Sequence, residues 1–178
     1  MGAYDRKQIG DATEFSTTPE EVPWPIGMVA IPGALLVLIA FAESILLGLV
    51  AAGFVYGAMY LLKHSKNATL HRTPANFKVS KAGVEVGGKT IPAAEIHRVI
   101  VGNHVFKSVE NIIVVADPNI NSGQNNTVTG MNWMLVKVGP IAYRVDVEAR
   151  GVPTTLAGGL TEATASAIAM DVNKILGL

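Results

Sequence analysis

The chain has 178 residues, its 14 basic side chains are balanced by 14 acidic ones, and it contains no cysteine. That length suits one ordinary domain plus a short appendage. The charge balance leaves no global field to draw in nucleic acid, and the missing thiols exclude disulfides, thiolate metal sites and cysteine nucleophiles. Hydrophobic residues make up 49% against 16% charged and gather in one block near the N-terminus, the composition of a membrane protein with a soluble part.

Residues 1–25, MGAYDRKQIGDATEFSTTPEEVPWP, are polar, rich in turn formers and without helical or strand periodicity, so they read as a tail ordered only by a partner. A secretory signal would place basic residues just before a short apolar core; here a long polar stretch precedes a much longer one, so the block reads as a retained anchor. Trp24, between Pro23 and Pro25, marks where the chain meets the membrane, because an indole favours the headgroup level and the prolines prevent an earlier helix start.

Residues 26–62 form the transmembrane segment. As one helix it would be roughly 55 Å long, against a hydrocarbon core of about 30 Å. A turn near Glu43 instead gives arms 26–41 and 45–62, each roughly 24 to 27 Å long, and length therefore favours a hairpin. Turn chemistry argues for one long helix, since Phe41-Ala42-Glu43-Ser44 has no Gly, Pro or Asn. A helix beginning at Pro32, with 26–31 at the interface, is a further solution. Glu43 is the sole charged residue between Glu21 and Lys63 and is a polar membrane site if the chain does not turn back. Ala40, Ser44, Gly48 and Ala52 recur every four residues, and Gly53 and Gly57 add a second small pair; both sets are helix-packing faces.

Lys63, His64, Lys66, His71 and Arg72 follow the block, while Glu14, Glu20 and Glu21 precede it, so the positive-inside rule places the C-terminal part in the cytoplasm. After a linker over 63–74 the hydrophobic period becomes two. In IAYRVDVE, Ile141, Tyr143, Val145 and Val147 point to one face and Ala142, Arg144, Asp146 and Glu148 to the other. FKV, IIVVA, MNWMLVKV and VPTTLA read as further strands, about seven in all, with turns at Gly87-Gly88, Gly139-Pro140 and Gly151. In LTEATASAIAMDVNKILGL, Thr161 is the expected N-cap, Ala165, Ile168, Val172, Ile175 and Leu176 an apolar stripe, and Gly177 the stop. The fold expected for 75–178 is an all-β small barrel or sandwich closed by one C-terminal α-helix.

FKVSKAGVEVGGKTIPAAEIHRVIV resembles the start of a bacterial pleckstrin-homology-like (PH-like) domain through Phe77 and Val79, Gly83-Val84, Gly87-Gly88, Ile91-Pro92 and Glu95-Ile96. LAGGLTEATASAIA is similar to the way such domains pass from their last strand into the closing helix. The resemblance covers roughly residues 70–178, and implies a membrane-associated binding or assembly module rather than an enzyme. The long polar insertion DPNINSGQNNTVTG departs from it and makes Asp117, Asn119, Asn121 and Asn125 a candidate partner loop. Asp117, Asn119 and Asn121 alternate as in an EF-hand loop, but Ser122 replaces the required glycine and Val128 the bidentate Glu, so no metal is expected.

His64, His71, His97 and His104 show no ligand spacing, and nucleophile-elbow, phosphate-loop and dinucleotide motifs are absent. Lys78, Lys81 and Lys89 are too scattered for specific headgroup binding. No cofactor, nucleic acid or specific small molecule is expected. The function expected is a non-enzymatic, membrane-anchored interaction protein, a subunit or accessory of a larger complex, partnered by the lipid bilayer and by other membrane proteins or itself. The alternatives are a channel or transport component using Glu43 within an oligomeric bundle, and an immunity or exclusion protein.

Overall fold

The computed structural model describes residues 4–105 and 133–178. The chain divides into two compact units: a β unit of Met1–Glu21, Leu70–Val109 and Gly139–Leu178, and a helical unit that includes Val22–Thr69.

In the β unit, strands β1 (Tyr4–Ile9), β2 (Ala12–Thr17), β3 (Ala75–Ser80), β4 (Gly83–Val86) and β5 (Lys89–Pro92) form one antiparallel sheet in chain order. Strands β6 (Ile96–Asn103), β7 (Tyr143–Ala149) and β8 (Val152–Leu160) form a second. The helical unit contains α1 (Ile26–Glu43), α2 (Ile45–Lys63) and a single turn, α3 (Lys66–Thr69). The C-terminal helix α4 (Glu162–Leu176) belongs to the β unit.

Helix α4 forms where its sequence signals place it. The Thr161 hydroxyl accepts from the Thr164 amide, and Gly177 ends the helix at φ 79°, a left-handed conformation that costs glycine little. Its stripe of Ala165, Ile168 and Val172 is buried in one cluster with Phe77 and Val79 of the first sheet and Val145 and Val147 of the second. The result is a mixed fold of two antiparallel sheets and a C-terminal helix.

The polar N-terminal segment is not a tail. Residues 4–17 fold as a β-hairpin, and β2 pairs along its length with β3, setting Phe15 directly opposite Phe77. Those rings stack at 5.0 Å, with planes 6° apart, and Phe15 is fully buried. The domain expected over 75–178 therefore begins before the helices. Strand β1 is exposed on both faces from Asp5 to Ile9, so its sequence carries no alternation that would mark a strand. A second correction concerns MNWMLVKV: Met134–Val138 forms a π-helical turn, not a strand. Its run of consecutive apolar residues lacks the strict period that separates strand from helix. The strand expected at IIVVA lies outside the described residues.

The helices turn back at Ser44. This residue is extended (φ −164°, ψ 149°) and ends α1, and its hydroxyl then accepts from the Leu47 amide to cap α2. Helix α1 starts at Ile26 and runs through Pro32, so neither the single long helix nor a start at Pro32 is observed. Close approach is made at glycines: a Cβ on Gly33 would lie 2.7 Å from a Val55 methyl, and one on Gly48 would strike the Phe41 ring. At 1.5 Å per residue the arms are roughly 27 and 28 Å long.

Because β2 and β3 are adjacent strands, the helical hairpin is an insertion into the sheet. Whatever the helices traverse, the chain must come back to where it left.

Candidate functional site

Two regions carry the features expected of function. In the helical unit, the hairpin turns its large side chains outward: Leu46 and Phe54 are 75% and 78% exposed, and Leu35, Leu38, Ile45 and Leu61 are similarly bare. In water that exterior would cost roughly 25 cal/mol for each Å² left uncovered. Helix α2 is long and apolar enough to cross a membrane; the apolar stretch of α1 among the described residues is the shorter Pro32–Glu43. At the open end of the hairpin Trp24 meets Tyr56 at 5.9 Å, and the Lys63 ammonium lies 4.6 Å from the Trp24 ring centre. Tyr60 and His64 stack one turn apart on α2. Aromatic rings with a polar tip and a snorkelling lysine are the side chains that suit a lipid–water boundary.

The small residues read from sequence part company here. Ala40 and Gly48 are buried, but they lie on different helices, because the chain breaks at Ser44. The four-residue stripe through Ala52 is therefore not one helix face; it was legible as one only while the break was not. Among the described residues nothing stands within 4 Å of where a Cβ on Gly53 or Gly57 would be, so neither makes the close approach seen at Gly33 and Gly48. Glu43 is exposed in the last position of α1, beside the turn. Asp117, Asn119, Asn121 and Asn125 lie outside the described residues.

In the β unit a polar cluster surrounds the segment that follows α3. Strand β7 buries three consecutive residues: Val145 and Val147 enter the core, and Asp146, on the other face, is also buried. The alternation of IAYRVDVE is correct, but the face expected to meet solvent is covered at Asp146. Its carboxylate lies 2.8 Å from the Arg144 guanidinium, and its second oxygen has no hydrogen-bond partner among the described residues. Arg144 in turn reaches the His71 ring at 2.8 Å, and His104 stands edge-on to that ring at 6.1 Å. Burial, then the Arg144 charge and then His104 hold the His71 pKa below its ordinary value, against the smaller pull of Asp146.

Next to it, Arg72 is half-buried and donates to the Glu20 and Ile141 carbonyls, both at 2.6 Å; burial lowers its pKa from the ordinary value. The Glu20 amide donates to the Gly159 carbonyl at 2.8 Å. Residues 20 and 72 lie where the chain leaves the β unit and where it has returned, so Arg72 clasps the two segments together. Gly158 and Gly159 make room for both: a Cβ on Gly158 would run into the His71 carbonyl, and one on Gly159 would sit 2.8 Å from Arg72 and Pro19. Adjacent glycines inside a strand signal close backbone approach, and that clue in LAGGL was available in the sequence. His71 and Arg72 themselves were read only as membrane-exit cations. Gly158→Ala is expected to destabilise the β unit by about 1–3 kcal/mol by overpacking, measured by urea unfolding. An unchanged midpoint would mean that residues 71–72 do not rest on β8.

Of the scattered lysines Lys78 stands in a charged cross-strand row, Lys81 lies in the turn after β3, and Lys89 opens β5 opposite Val86. Lys7, Glu14, Lys78 and Glu85 are successive cross-strand neighbours over β1 to β4, so Lys78 stands between two carboxylates. Among the described residues no three His, Asp or Glu side chains gather as metal ligands.

These features define a class: a two-sheet β domain, closed by a C-terminal helix, with an apolar two-helix hairpin inserted between neighbouring strands. Comparison of the chain with family models, with curated proteins and with solved structures gives no match in any of the three.

Proposed function

We propose that the protein is a non-enzymatic, membrane-anchored interaction protein whose hairpin crosses a bacterial inner membrane twice and presents a PH-like β domain in the cytoplasm. In this role it acts as a subunit or accessory of a larger membrane complex. The observation that carries the reading is the pairing of β2 with β3 around an outwardly apolar hairpin. Two arms of about 27–28 Å fit a bilayer core of about 30 Å, and a cation-bearing aromatic set at their open end suits the headgroup level. Lys63, His64 and Lys66 at that same end favour the cytoplasmic side. The order of strands followed by a closing helix supports the PH-like assignment. With the turn at Ser44, Glu43 falls at the far boundary, where a hydrated carboxylate needs no transport role.

The absence of cysteine makes site-directed labelling clean. Single cysteines at Gln8, Met170 and Glu43, probed with a membrane-impermeant maleimide, are expected to divide two against one. Glu43→Cys labels in intact spheroplasts, whereas Gln8→Cys and Met170→Cys label only after permeabilisation. Opposite behaviour of Gln8→Cys on β1 and Met170→Cys on α4 would refute their membership of one β unit. Labelling of all three in intact cells, or of none, would refute the double crossing.

A further inference from the structure

The cluster around His71 has a property that the anchoring role does not require. A guanidinium has donors and no acceptor, so the 2.8 Å contact from Arg144 Nη1 to His71 Nε2 requires a lone pair on that nitrogen. The ring held there is therefore neutral, with its proton on Nδ1. Protonation would replace a hydrogen bond with an imidazolium facing a guanidinium at contact distance. Among the described residues three charged or titratable groups act on the ring, Arg144 and Asp146 from β7 and His104 after β6, while the neighbouring Arg72 side chain reaches the Glu20 and Ile141 carbonyls. Asp146 is the one group that would welcome a second cation, and it is already paired with Arg144. From β8 the segment meets Gly158 at His71 and Gly159 at Arg72, neither of which carries a charge. The His71 backbone is held at φ 58°, a left-handed conformation unfavourable to a residue with a Cβ, so it has reason to relax once its contacts go.

We propose that His71 is a proton-sensitive latch: neutral, it fastens the segment returning from the helical hairpin to β7 through Arg144, and protonated, it leaves Arg144 and frees residues 70–73 from β7 and β8. A cleft already lies along this segment, lined by His71, Thr73, Asn76, Thr155 and Gly158, and release widens it. Acidification thus loosens the tether between hairpin and β domain while the core built on Phe15, Phe77 and α4 stays closed. Because the folded-state pKa lies below the ordinary 6.5, the stabilisation is complete above that value and is lost as pH falls through the lowered one.

The test uses the full chain in detergent micelles. Amide hydrogen exchange of residues 70–73, corrected for intrinsic pH dependence, is expected to quicken about tenfold or more between pH ~7.5 and pH ~5, while β3 and α4 amides stay slow. In His71→Gln, whose amide oxygen can accept from Arg144 but cannot titrate, the change is expected to stay below about twofold. Equal pH responses in the two proteins would overturn the latch. If His71→Gln does not fold, an NMR titration of the histidine rings in the wild-type protein decides alone, with peaks assigned through His64→Gln, His97→Gln and His104→Gln variants. A His71 pKa below 6.5 together with the quickened exchange supports the latch; a value at or above it overturns it.

Discussion

Replacing Phe15 with alanine is expected to cost about 3–5 kcal/mol of β-unit stability, the range for truncating a fully buried aromatic ring. A domain of this kind has a total stability of only about 5–15 kcal/mol, so the variant sits near the edge of folding. Phe15 is 0% exposed and stacks on Phe77 with Tyr4 on its other side at 6.4 Å, so no neighbour can collapse into the space without giving up a ring contact. Removing residues 1–17 is expected to be worse, because it strips β3 of its hydrogen-bonded neighbour along five residue pairs and opens the core to water. Urea unfolding of the full chain in detergent, followed by circular dichroism of the β signal, measures both. A truncated chain with the wild-type midpoint would return these residues to the role of a tail and remove the topological argument for the hairpin.

That strand shows where sequence legibility ends. Helix α4 was readable because its determinants are local: Thr161, the stripe through Val172 and Gly177 act within a few turns of one another. Strand β7 was readable for the same reason, its period of two being contained in IAYRVDVE. The hairpin and the place of its turn near Glu43 followed from length alone, while the chemistry of the turn was hidden: Ser44 breaks the helix by capping the next one, without Gly, Pro or Asn. The N-terminal hairpin depends on a partner some sixty residues further along the chain, Phe15 on Phe77, and nothing near Phe15 announces it. Asp146 is the same kind of case. Its position on the polar face beside Arg144 is legible, but its burial is not, and the contact of Arg144 with His71 exists only in the tertiary fold. The small-residue stripe failed in the opposite way, since a local pattern continued across a break that divided it between two helices.

Asp146 also sets the second large effect. Arg144→Met is expected to destabilise the β unit by about 3 kcal/mol, the low end of the cost of leaving one partner of a buried ion pair alone. The low end applies because the Arg144 side chain retains 29% exposure, so water screens part of the pair, whereas the Asp146 side chain retains only 4%. The double replacement Arg144→Met with Asp146→Leu is expected to recover most of the loss, since it removes both desolvation costs and fills the space with apolar atoms. Urea unfolding of the two variants measures this: a single-variant loss below about 1 kcal/mol, or a double variant no better than the single, would mean that the carboxylate is hydrated. Arg144→Met removes in addition both the donor that holds the neutral ring of His71 and the cation that opposes its charged form. The His71 pKa is therefore expected to rise in that variant, and the pH response of residues 70–73 to move with it. A fixed His71 pKa after loss of Arg144 would separate the two effects, leaving Asp146 a matter of stability alone and assigning the depression at His71 to burial.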